Sequence, residues 1–94
     1  MKVGLVARHY PCPEHWDEMI SRVHRAAEVM AATPGFIPAD CWVSDDGRAV
    51  VTTAQWESEQ ALMAGFAAVR AAGVDFDYDE RESQPHEVVR LISA

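Results

Sequence analysis

The stretch Phe36–Ser58, FIPADCWVSDDGRAVVTTAQWES, decides the fold. Ile37, Ala39, Cys41 and Val43 alternate with Pro38, Asp40, Trp42 and Ser44, the period-two pattern of a strand. Asp45-Asp46-Gly47 is a hairpin signal. Arg48 to Gln55, rich in Val and Thr, reads as the return strand, so the two strands should pair antiparallel. Pro38 cannot donate to a ladder, which places the first of them at a sheet edge or in a bulge near its start. Trp56-Glu57-Ser58-Glu59 then opens a helix, with Ser58 as N-cap and Glu59 favourable to the helix dipole.

Outward from this hairpin, each side carries one helix and one strand. Lys2 to His9 is short and apolar and reads as a strand, broken by Tyr10-Pro11-Cys12-Pro13. Pro13 suits the first position of a helix. Trp16, Met19, Ile20, Val23, Ala27, Met30 and Ala31 recur at spacings of three and four, with Asp17, Ser21, Arg22, Arg25 and Glu28 on the opposite face. Thr33-Pro34-Gly35 ends this helix. Beyond the hairpin, Leu62, Gly65, Phe66 and Val69 form the stripe of the second helix, and Gly73 stops it. Val74 to Pro85, with Asp75, Asp77, Asp79, Glu80 and Glu82, reads as an irregular, mobile, solvated connection. His86 to Ser93 closes the chain as a strand.

Strand, helix, strand, strand, helix, strand is the ferredoxin-like βαββαβ order of an α+β fold, a four-stranded antiparallel sheet with two helices on one face. A sheet with one solvated face alternates cleanly between apolar and polar residues. Here Val50 and Val51, Val88 and Val89, and Leu91 and Ile92 are adjacent pairs, so both faces call for cover. The helices supply it on one face; a second copy, docked sheet to sheet, is the economical cover for the other, and a homodimer is expected.

The charge balance narrows the partners. Eight Lys plus Arg against fifteen Asp plus Glu give a net charge of −7, which disfavours nucleic acid and anionic membrane surfaces. No apolar run approaches the ~20 residues of a membrane span. The first eight residues are too short an apolar stretch for a signal peptide, and two cysteines are too few for a disulfide framework, so the expected compartment is the cytoplasm.

Gln55-Trp56-Glu57-Ser58, running on into Glu59-Gln60-Ala61-Leu62-Met63-Ala64, resembles the signature of the antibiotic biosynthesis monooxygenase (ABM) domain family of small dimeric α/β-barrel proteins. Pro34-Gly35-Phe36, between the first helix and the second strand, is similar to that family's common connection. The likeness covers nearly the whole chain in element order; its sequence-specific part is short, mainly Gln55 to Ser58. It implies one ABM-like domain over residues 1–94, with a pocket between sheet and helices and Trp56 matching the tryptophan beside it. The family includes cofactor-free oxygenases of quinols and aromatic polyketides, haem-degrading enzymes and members with no known activity. Many members carry a His in the second helix where this chain has Gly65. Haem-degrading members have an Asn in the first strand and a His later in the second helix. Here the first strand reads Gly4-Leu5-Val6-Ala7 and no His lies between Trp56 and Gly73, so haem degradation by that residue set is not expected.

The resemblance thus implies a cofactor-independent monooxygenase acting on a small aromatic, quinol or polyketide substrate. The alternative is a non-catalytic dimer of the same fold that binds a small molecule or a protein. A cofactor-free oxygenase needs an electron-rich phenol or quinol that reduces oxygen itself once deprotonated. His9 or His24 are candidates to take the proton, since imidazole titrates near neutrality. His24 lies about 80° from the centre of its helix's buried stripe and so flanks it. Arg70, which flanks the second helix's stripe, and Arg90 are candidates to stabilise the oxyanion. Trp56 and Phe66 are candidate aromatic walls, with Trp56 expected to line the pocket rather than to act as core. A catalytic pocket should hold ~300 Å³ or more with a titratable group aimed into it.

His9, Cys12 and His15 have ligand-like spacing, but Pro11 and Pro13 constrain the loop and no fourth ligand is near in sequence, so no metal is expected. The acidic 75–82 segment lacks the Gly-containing calcium-loop pattern. Cys41 reads as a small core residue.

Overall fold

The structure is a computed structural model describing residues 1–94. Its strands are β1 (Val3–His9), β2 (Phe36–Val43), β3 (Val50–Trp56) and β4 (Glu87–Ile92); its helices are α1 (Trp16–Ala31), entered through a short 3-10 turn at Pro13–His15, and α2 (Glu59–Ala71). The sheet order is β2-β3-β1-β4, with every pair antiparallel. This is the ferredoxin-like α+β arrangement expected from the sequence. No helix is long and apolar enough to cross a membrane.

The local signals act where the sequence places them. Ser58 Oγ accepts a hydrogen bond from the Ala61 amide at 3.1 Å, satisfying one of the free N–H groups at the start of α2. β2 is an edge strand, and its register with β3 breaks between Ile37 and Asp40, around Pro38. Gly35 turns the chain from α1 into β2 at φ +86°, and a Cβ there would sit 2.7 Å from the Ala61 Cβ.

Strand pairing divides the sheet into two unequal faces. Leu5 stands between Ala54 and Arg90, and Ala7 between Thr52 and Val88, on the face turned to the helices. The main core gathers Val3, Ala26, Met30, Ala54, Trp56, Leu62 and Val74; a smaller cluster of Met19, Val23 and Val50 adjoins it, and Phe76 packs against both. Cys41 packs against the smaller cluster, where burial pushes its thiol pKa up. On the opposite face, Val6 lies between Thr53 and Val89, Gly4 between Gln55 and Leu91, and Trp42 opposite Val51. Neither helix covers these residues: Trp42 is 57% exposed, Val89 54% and Leu91 46%. All six residues of β4 are exposed.

Two expectations are corrected. Arg22, assigned to the solvent face of α1, is buried. Its guanidinium donates to the Asp75 carbonyl at 2.9 Å and to Glu18 Oε2 at 3.0 Å, and lies 5.3 Å from the centre of the Phe76 ring. The second correction explains the first. The 74–85 segment is irregular and acidic but not a free, solvated loop. Val74 and Glu82 are buried, the Ser83 amide donates to the Tyr10 carbonyl at 2.8 Å, and the Cys12 amide donates to the Arg81 carbonyl at 2.8 Å. Arg81 forks onto Asp79 at 2.7–3.0 Å, holding that carboxyl down at about 2 and raising its own pKa. The segment is thereby folded back over the start of α1, and Arg22 lies beneath it.

Candidate functional site

A cavity of about 260 Å³ lies between the sheet and the helices. Its floor is Leu5, Ala7, Thr52 and Ala54; Val23, Ala26 and Met30 of α1 and Phe66 and Val69 of α2 form its roof. These side chains meet because short residues at alternate positions of β1 and β3 leave room beneath the helices. The cavity opens past β4, where Val88 and Arg90 form the rim.

Trp56 closes one end. As the last residue of β3 it shares the face of Thr52 and Ala54. Its indole meets Phe66 edge-on at 5.7 Å between centroids and Phe36 at 5.8 Å. It is fully buried and belongs to the main core while also lining the cavity, so the distinction between wall and core drawn from the sequence does not apply to it. Gly65 provides the space: a Cβ there would lie 3.0 Å from the Trp56 Nε1, which has no hydrogen-bond partner.

The other end is polar. His9, the last residue of β1, is 4% exposed, and its ring lies 5.1 Å from Phe76 and 5.2 Å from His86. Burial, followed by the neighbouring charges of His86 and Arg22, lowers its pKa to about 4, so His9 is neutral at pH 7. Behind the two rings is Glu82, whose side chain is 1% exposed and whose Oε2 accepts from the Tyr10 amide at 3.3 Å. Glu82 Oε2 is 3.9 Å from His9 Nδ1, and Glu82 Oε1 is 3.8 Å from His86 Nδ1.

Of the residues singled out in the sequence, His9, Trp56, Phe66 and Arg90 line this cavity. Arg90 also donates to Glu59 Oε1 at 3.3 Å, which holds its guanidinium at the rim. His24 and Arg70 are exposed on their helices and are not part of the cavity wall. Cys12 and His15 do not join His9: the Cys12 thiol donates to the Glu80 carbonyl, and the residues gathered around His9 are Glu82 and His86. Glu82, His86 and Phe76 were absent from the sequence-derived site. For His86 the signal was the sheet order, because a closing strand antiparallel to β1 sets the residue before it beside the end of β1; Glu82 and Phe76 lie in the irregular segment outside that register.

The chain is a ferredoxin-like α+β domain with an apolar, aromatic-walled cavity between sheet and helices. The family model for antibiotic biosynthesis monooxygenase matches residues 2–67, and the chain belongs to that family. Among solved structures, it is similar to Rv0793 from Mycobacterium tuberculosis, with a TM-score of 0.79, 20% identity and coverage of 100% of this chain and 96% of that one. It is similar to SnoaB from Streptomyces nogalater, described as a cofactor-independent oxygenase, with a TM-score of 0.74, 21% identity and coverage of 98% and 92%. It is also similar to a monooxygenase from the gene ActVA-Orf6 of Streptomyces coelicolor, solved with the ligand nanaomycin D, with a TM-score of 0.69, 27% identity and coverage of 99% and 87%. No curated protein sequence matches the chain.

Proposed function

We propose that this protein is a cofactor-independent monooxygenase of a small, electron-rich aromatic of the phenol, quinol or polyketide kind, working as a homodimer. The observation that carries the reading is the placement of His9 in the wall of an otherwise apolar, aromatic-lined cavity. SnoaB and the Streptomyces coelicolor enzyme, with the same architecture, are named as oxygenases and support it.

In this reading the substrate ring lies against Phe66 and Trp56, and its acidic proton passes to His9, which burial keeps uncharged and weakly basic until the substrate's developing negative charge lies beside it. Glu82 Oε2 lies 3.9 Å from His9 Nδ1, on the side of the ring away from the cavity. Arg90 at the rim stabilises the substrate oxyanion. The deprotonated ring reduces oxygen directly. At a ring methylene, one oxygen atom replaces two hydrogens to give a carbonyl and the other leaves as water, so the substrate supplies all four electrons. The apolar lining keeps water from the reactive anion.

The open sheet face carries the dimer part of the proposal, since Val6, Val51, Val89, Leu91 and Trp42 share the face that neither helix covers, and Trp42, Val89 and Leu91 are exposed there. The non-catalytic reading draws on cavity size, because 260 Å³ lies just below the lower end of the usual range of ~300–1,000 Å³. Oxygen uptake with a panel of anthrones and hydroquinones separates the two. Turnover lost in His9→Gln and reduced in Arg90→Gln is expected. Saturable binding of the same compounds with no oxygen consumption would leave a binding protein.

A further inference from the structure

The polar end of the cavity draws three potential metal ligands together from distant parts of the chain. His9 ends β1, Glu82 lies in the segment folded back on Tyr10 and Pro11, and His86 immediately precedes β4. One donor atom from each lies within 4.8 Å of the other two. Yet the pairs at 3.9 and 3.8 Å are too long for hydrogen bonds, and His9 Nδ1, Glu82 Oε1 and His86 Nδ1 are all buried without a partner. Buried polar atoms are almost always paired, and leaving one unpaired costs ~1–3 kcal/mol. One ion placed among the three residues would partner these atoms.

We propose that His9, Glu82 and His86 bind a divalent first-row transition-metal ion, with Zn²⁺ as the ion that fits their donors well. Two imidazole nitrogens and one carboxylate oxygen suit zinc and its neighbours, whereas calcium and magnesium take oxygen ligands. Bonds of ~2.0–2.2 Å hold donors ~3–3.5 Å apart, so the site contracts by roughly an ångström on binding. His86 is the ligand able to supply that movement, since its side chain is 27% exposed and it precedes the strand rather than lying within it. The Tyr10 amide donates to Glu82 Oε2 and orients the carboxylate from behind. Arg22, the nearby cation, is already bound by Glu18 and the Asp75 carbonyl, which offsets its repulsion of the ion.

The proposal is read by binding alone, without substrate, so its failure is distinguishable from that of the oxygenase reading; with the ion bound, His9 gives its lone-pair nitrogen to the metal and is not the base, so the base role belongs to the metal-free protein. Tag-free, chelator-treated protein titrated with ZnCl2 at neutral pH by calorimetry should take up one ion per chain. Glu82→Gln and His86→Gln should each weaken binding at least tenfold, while Cys12→Ser and His15→Gln leave it unchanged. Co²⁺ in place of Zn²⁺ should give a visible d–d band that is altered in His86→Gln. Circular dichroism checks folding, and His86→Gln, at a partly exposed position, decides the matter if Glu82→Gln does not fold. Absence of saturable one-to-one binding, or binding that survives His86→Gln unchanged, overturns the proposal.

Discussion

His9 and His86 lie ring to ring, 5.2 Å between centroids with planes tilted by 36°, and a single buried carboxylate stands behind both. The pair is a product of topology. β4 returns antiparallel to β1 with Arg8 opposite Glu87, so the residue before β4 meets the residue that ends β1. Burial, and then the neighbouring His86 and Arg22, disfavour the charged form of His9.

The low pKa of His9 makes stability depend on pH. In the unfolded chain His9 titrates near 6.5, but in the fold it titrates at about 4, so between these values the unfolded state binds more protons. Its contribution is therefore fully present above about 6.5 and is lost as pH falls towards 4, by on the order of 3 kcal/mol at ~1.4 kcal/mol per unit. Urea titrations of the chelated protein should show this loss over that window, and His9→Gln should flatten it. A slope that is identical in His9→Gln would refute the assignment. The half-buried Asp79 carboxyl, held at about 2 by Arg81, acts in a separate window below pH 4.

Gly65 tests how tightly the helices close on Trp56. In an ordinary helix Gly→Ala gains about 1 kcal/mol. Here the new Cβ meets Trp56 Nε1 at 3.0 Å and Met30 Cγ at 3.5 Å, and the indole is flanked by Phe36 and Phe66 and cannot readily move aside. Overpacking at ~1–3 kcal/mol outweighs the propensity gain, so Gly65→Ala should lower the Tm. An unchanged or higher Tm would show that the α2 packing is loose.

The fold was legible because it rests on local signals. Period-two alternation in Phe36–Ser44, the Asp-Asp-Gly turn and the Ser58 cap each act within a few residues. The site was legible only in part. Trp56, Phe66, His9 and Arg90 sit at positions fixed by their own elements. Glu82 and His86 lie in a segment whose acidic composition resembles solvent-exposed chain, and only the sheet register and the ties to Tyr10 and Cys12 bury Glu82. Arg22 was misplaced for the same reason: helical periodicity reports which way a residue points, not whether another segment folds over it.

The open sheet face predicts self-association. Val89 and Leu91 belong to an apolar part of that face, on the edge strand β4, that a monomer would leave in water. Light scattering at micromolar concentration should give about twice the chain mass of 10.4 kDa. Leu91→Glu, which adds charge to that face on the edge strand β4 and touches no helix-side core, should return the mass to one chain. A monomer at every concentration of the unsubstituted protein would remove the dimer from the proposal.

Trp56 is where packing and ligand binding compete for one side chain. It is fully buried, flanked by Phe36 and Phe66, and central to the main core, so truncation leaves a large cavity beside one that already exists. Trp56→Ala should cost ~3–5 kcal/mol, a large share of the stability of a small domain. Trp56→Phe keeps a ring against Phe66 and also removes the indole N–H that has no partner, an unpaired group that costs ~1–3 kcal/mol. The Phe variant should therefore remain folded with a much smaller loss, while the cavity enlarges at the Trp56 end. If a substrate ring lies on the indole, Trp56→Phe weakens quinol or anthrone binding in a protein whose melting curve is little changed. If Trp56→Ala unfolds the protein while Trp56→Phe binds those compounds as before, the indole serves the core alone and its place in the substrate wall must be withdrawn.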